Sequence, residues 1–147
     1  WFLACEGRLG MQEAIELAQG LSATLRMVHV VDMSWLPLGP EIAIDTEAIS
    51  AARRGAGEKI VAAIRETARQ AGFEATAALI ETETPIERVA EAIAREAARW
   101  SADLVVLGTH GRRGFQRLML GSVAEQMTRL SSVPVLLVPM PKPSPAT

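Results

Sequence analysis

Apolar positions follow two alternating rhythms along the chain. Five short runs are apolar almost throughout: Phe2–Cys5, Leu25–Val31, the ATAALI stretch ending at Ile80, Leu104–Leu107 and Val135–Val138. Runs of this length, bounded by turn signals, predict strands covered on both faces. Between them the spacing becomes helical. Met11, Ala14, Ile15, Ala18 and Leu21 share one face, with Gln12, Glu13, Glu16 and Gln19 opposite. A long helix over residues 46–71 groups Ile49, Ala52, Ala56, Ile60, Ile64 and Ala68. Gly55 and Gly57 weaken it, and Gly72 is placed to end it. Thr84-Pro85-Ile86-Glu87 reads as a helix start, with Thr84 as cap, Pro85 in the first turn and Glu87 closing a capping box. Ile86, Val89, Ala90, Ile93, Ala97 and Trp100 then trace an apolar stripe, and Glu91 and Arg95 lie four apart on the polar side. Residues 122–131 form the last helix.

This βαβαβαβαβ order predicts an α/β fold: a single, doubly wound, five-stranded parallel sheet with helices on both faces and right-handed crossovers. Two stretches stand apart. Residues 33–44 (MSWLPLGPEIAI) mix two prolines and a glycine with large apolar side chains, and read as a loop with its own packing partner. The end, PMPKPSPAT, has four prolines in nine residues, so 141–147 is expected to be a disordered tail on a domain spanning 1–140.

Composition narrows the function classes. A chain of 147 residues with 49% hydrophobic and 22% charged residues is ordinary globular material. A net charge of −2 argues against a dedicated nucleic-acid binder. Aromatics at 4%, with no Tyr, argue against a base-stacking platform. Cys5 stands alone, and His29 and His110 are the two histidines, so neither a disulfide nor a Cys/His metal site is expected. A reducing, cytoplasmic setting is the default. No run approaches the length of a membrane helix, and no signal peptide is evident. The chain starts at Trp1, so a few residues are expected upstream.

Candidate chemistry lies where ligands of open parallel sheets bind, beyond the carboxyl ends of the strands. After the first strand comes Glu6-Gly7-Arg8. After the fourth comes GTHGRRGFQRLMLGSV, in which Gly108, Gly111 and Gly121 have the spacing G-x2-G-x9-G, followed at once by Ser122. Glycines let backbone N–H groups approach an anion, and a helix N-terminus opens at Gly121-Ser122. Arg112, Arg113 and Arg117 add positive charge, with no acid from 104 to 124. A phosphate suits all of this. So does a solvated basic loop, and residue chemistry alone leaves both open. His110 could serve as a base or as an ordinary loop residue. Neither a P-loop nor a G-x-G-x-x-G fingerprint is present. No complete nucleophile–base set is visible, so no catalytic residue is assigned.

The stretch GTHGRRGFQRLMLGSVAEQMTRLSSVPVLLVP resembles the C-terminal signature of the universal stress protein family. DLVVLG, LRMVHVVD and ACEGRLGMQEAIELA are similar to its fourth strand, its second strand and its opening strand–turn–helix. The resemblance implies a strand order of 3-2-1-4-5. The Gly-rich motif implies the ATP-binding type, with ATP alone or with Mg2+. Gly108, Gly111, Gly121 and Ser122 would surround ribose and phosphates, with His110, Arg112 and Val123 alongside. Val30 would meet adenine through its backbone, and Ala4 and Glu6 would line the nucleoside. The family turn after the first strand is usually Asp-Gly-Ser. Here Glu6 keeps a carboxylate one methylene longer, and Arg8 replaces a small hydroxyl. The expected function is therefore an ATP-binding, stress-response regulatory module, with a homodimer formed through strand 135–138. The rival readings are a universal stress dimer that binds no nucleotide and acts through protein partners, and a slow ATPase.

Overall fold

Strands and helices alternate through the computed structural model, which describes residues 2–5, 8–34, 45–109 and 120–139. The strands are β1 (Phe2–Cys5), β2 (Leu25–Val31), β3 (Thr76–Glu81), β4 (Leu104–Gly108) and β5 (Val135–Val138). The helices are α1 (Arg8–Gly20), α2 (Thr46–Gln70), α3 (Val89–Arg99) and α4 (Ser122–Leu130). All neighbouring strands are parallel, in the order β3-β2-β1-β4-β5. Residues 35–44 of the expected loop and all of the expected tail, 141–147, lie outside the described residues.

The unbroken apolar strands have the consequence expected of them: each side of the sheet carries its own core. On one side Ile15 and Ala18 of α1 and Val61 of α2 pack against Leu25, Met27 and Val106. On the other, Ile93 of α3 and Met127 of α4 pack against Val28, Val30, Val105 and Leu107. Side chains of successive strand residues point to opposite faces, so β2 and β4 serve both cores.

Several helix details differ from the periodicity. Leu21 is exposed, because α1 stops at Gly20 and Ser22 turns the chain with a φ of 50°. On α2 the buried residues are Ser50, Gly57, Val61 and Ala68, whereas Ala52 and Ala56 face solvent. Gly57 sets that orientation. A Cβ there would stand 2.6 Å from Leu79 Cδ1, 3.0 Å from Val31 Cγ2 and 3.3 Å from His29 Cδ2. The helix can approach β2 and β3 only through a residue without a side chain. Gly55, two residues earlier, has open space where its Cβ would go. Gly55→Ala should therefore stabilise the protein by about 0.5–1 kcal/mol through helix propensity. Gly57→Ala gains the same propensity but overpacks the α2–sheet contact, so it should lower stability by about 1 kcal/mol net. Urea unfolding of the two variants measures this, and equal shifts would show that Gly57 has no packing role.

The helix start expected at Thr84 is displaced to Val89. Thr84–Glu87 forms a single turn instead, in which the Glu87 N–H donates to the Thr84 carbonyl at 3.2 Å and hydroxyl at 3.1 Å. Arg88 then extends at φ −90° and ψ 157° before α3 begins, and its N–H donates to Glu91 at 2.8 Å. Glu91 is thus a cap, and Arg95 pairs elsewhere: with Glu87 at 3.0 Å, with Glu83 at 2.8 Å, and with the Glu81 carbonyl at 2.9 Å. Drawing Glu87 inward leaves Ile86, expected on the apolar stripe, 86% exposed.

Burial alone would push the Glu87 carboxyl up. Hydrogen bonds from Arg95 and from the Glu83 N–H, together with the Arg95 charge, outweigh this and hold it below its ordinary value. A folded-state value below the unfolded one stabilises the protein above the unfolded carboxylate range, near pH 4.3. That stabilisation is lost as pH falls through the folded value. Urea midpoints measured from pH 6 to pH 3 should therefore fall less steeply in Glu87→Gln than in wild type. Parallel pH profiles would exclude this contribution.

Candidate functional site

β1 is the shortest part of the sheet's centre, and its end creates the site. It pairs with β2 only as far as Cys5↔Val28, and with β4 only as far as Cys5↔Leu107. β2 runs on to Val31, paired with β3, and β4 runs on to Gly108, paired with β5. Beyond Cys5, β2 and β4 are therefore two strand spacings apart, about 9.5 Å. Just two residues, Glu6 and Gly7, separate Cys5 from Arg8, where α1 begins. This is where the strand connections reverse direction, the usual ligand position in open α/β sheets.

Backbone parity shows which groups face the slot. In a strand, the N–H and C=O of one residue point to the same edge and alternate with those of the next. The Val31 carbonyl accepts from Thr82 N–H at 3.2 Å, towards β3, so the backbone of Val30 faces the opposite edge, into the slot. Across it, Thr109 N–H donates to the Val138 carbonyl at 2.9 Å, towards β5, so the backbone of Gly108 also faces the slot. The two walls thus carry backbone polar groups of Val30 and of Gly108.

The long Gly-rich segment returns to the same place. Gly121 N–H donates to the Thr109 carbonyl at 2.8 Å, tying the end of the segment to its beginning. Gly121 is the N-cap of α4, at φ −60° and ψ 147°, and has no side chain to cap the helix. Ser122 and Val123 begin α4. The Ser122 side chain is exposed, and Val123 packs half-buried on the α3/α4 core. The N–H groups of this first turn, which have no partner within the helix, stand beside the end of β4, an arrangement suited to an anion.

Of the residues expected to bind ligand, Val30, Gly108, Gly121, Ser122 and Val123 are brought to this end of the sheet. Ala4 lies one residue before the end of β1, paired with Met27 and Val106. Glu6, His110, Gly111 and Arg112 lie outside the described residues. Sequence reasoning missed three residues that shape the site. Thr109, which stood inside the motif, accepts the Gly121 N–H with its carbonyl. Thr82 and Arg53 hold the end of β2. Arg53 is 21 positions from its partner, and no local signal marks it. Among the described residues no His, Cys, Asp or Glu cluster suits a metal ion. None of their helices is long and apolar enough to cross a membrane.

The model of the universal stress protein family matches residues 7–139. Universal stress protein MJ0531 of Methanocaldococcus jannaschii is 32% identical over 131 residues, covering 89% of this chain and 74% of that protein. A solved universal stress protein family structure from Burkholderia pseudomallei is 28% identical and superposes with a TM-score of 0.75 over 95% of this chain and 96% of that one. The universal stress protein of Archaeoglobus fulgidus, solved in complex with dAMP, shares the fold at 19% identity, with a TM-score of 0.60 over 92% of this chain and 94% of that one. By sequence and fold together, the chain belongs to the universal stress protein family.

Proposed function

We propose that the chain is a cytoplasmic, adenine nucleotide-binding regulatory module of the stress response, taking ATP, alone or with Mg2+, in the slot beyond β1. The observation that carries this reading is the Thr109–Gly121 hydrogen bond, which sets the N-terminus of α4 beside Gly108. Phosphates would lie beside the backbone of Gly108 and Gly121, meeting the N–H groups of the first turn of α4, the Ser122 hydroxyl, and the loop residues His110, Gly111 and Arg112. The base would lie against the Val30 backbone, with Ala4 and Glu6 near the nucleoside. A slot about 9.5 Å across accommodates a flat ring edge-on between two strands. The dAMP held by the Archaeoglobus fulgidus relative agrees in ligand class. Two measurements test the reading: mass spectrometry of ligand released from freshly purified protein, and calorimetric titration with ATP. No nucleotide released and no heat at millimolar ATP would remove it.

The module is proposed to act as a homodimer. Among the described residues, β5 ends the sheet order and is paired only by β4. It is apolar throughout, and Leu136 is 39% exposed. An open apolar edge of this kind invites pairing with another strand, and a two-fold mate offers an identical one. Leu136→Lys should convert a dimer to monomer in sedimentation equilibrium. An unaltered dimer would move the interface away from β5.

A further inference from the structure

The chain leaves the sheet after Val31, yet the next two residues remain tied to it. Thr82, the residue just past β3, is buried, and its N–H donates to the Val31 carbonyl at 3.2 Å. Its hydroxyl accepts the Met33 N–H at 2.9 Å, standing where a strand carbonyl would continue the ladder. From α2, Arg53 Nη1 donates to the Asp32 carbonyl at 2.7 Å. The Asp32 carboxylate in turn accepts the Ser34 N–H at 2.9 Å. The close seat of α2 on β2, permitted by Gly57, brings Arg53 within reach.

We propose that Thr82 and Arg53 are positioning residues that fix the backbone of Val30–Asp32 and thereby set the base selectivity of the slot, an inference that rests on the nucleotide reading above. A strand edge offers donors and acceptors in a fixed order. Adenine carries an amino donor where guanine carries a carbonyl acceptor, so the two bases need opposite orders along that edge. Discrimination then depends on holding the edge to within about 0.5 Å. Neither side chain needs to touch the base. Thr82 holds Val31 and Met33 on either side of Asp32, and Arg53 holds Asp32 itself.

The test measures ATP and GTP affinities of the full chain, by competition against a fluorescent ATP analogue, for wild type, Thr82→Val, Thr82→Ser and Arg53→Met. Thr82→Val keeps the side-chain shape and removes the acceptor for Met33. ATP should bind wild type more tightly than GTP. Thr82→Val should weaken ATP about fivefold or more, the scale of one lost hydrogen bond, and leave GTP within about twofold. Thr82→Ser should restore the wild-type ratio, and Arg53→Met should reduce it as Thr82→Val does. If Thr82→Val does not fold, Arg53→Met alone decides. Unchanged ATP affinity in the variants, or an equal loss for ATP and GTP, overturns the positioning role and leaves nucleotide binding intact. A wild type that binds no ATP overturns both.

Discussion

Arg26→Met is expected to destabilise the protein by about 2–3 kcal/mol. Arg26 of β2 donates from Nε and Nη2 to Glu96 Oε1 of α3, at 2.9 and 2.7 Å. The Glu96 side chain is only 7% exposed, and that of Arg26 25%. The guanidinium also stands 5.9 Å from the centre of the Trp100 ring, which covers it at the end of α3. Removing one member of a buried pair leaves the other desolvated and uncompensated, at about 3–5 kcal/mol. The partial exposure of Arg26 lowers that figure. The Arg26→Met, Glu96→Leu double variant removes both charges and should recover to within about 1 kcal/mol of wild type. In thermal terms the single variant should melt about 5–10 °C lower. If the double variant is as unstable as the single one, packing of the Arg26 stem over Trp100, and not the charge pair, is what matters.

Gly121→Val is expected to lower ATP affinity at least tenfold, about 1.4 kcal/mol, with little change in stability. Gly121 sits at φ −60° and ψ 147°, a conformation open to any residue. Its glycine identity is therefore not required by the turn. What a side chain would change is the approach of a ligand to the backbone between Thr109 and α4. Calorimetry with ATP, alongside a urea titration, separates the two effects. Retained affinity would mean that phosphates do not meet this part of the backbone. A loss matched by collapse of the fold would mean that Gly121 serves the Thr109 hydrogen bond instead.

The positions of the strands, the α/β class and the family could be read from the residues, and for one physical reason. A strand buried on both faces is apolar at nearly every position, and a helix on a sheet is apolar at every third or fourth, so both patterns are written locally. The Gly-x2-Gly-x9-Gly-Ser segment was legible for a similar reason, since backbone approach requires glycine in the chain itself. Orientation and pairing were not local. The face of α2 that turns inward was decided by where the helix meets Leu79 and Val31, which made Gly57 a contact and left Ala52 and Ala56 in water. The partner of Arg95 was decided by the fold of the preceding turn, which brought Glu87 and Glu83 to it and left Glu91 to cap α3. Arg26 and Glu96 lie 70 positions apart, and no periodicity joins them. The slot itself belongs wholly to the tertiary structure. It exists because β1 stops before its neighbours do, and strand alternation then turns the Val30 and Gly108 backbones to face each other across the gap.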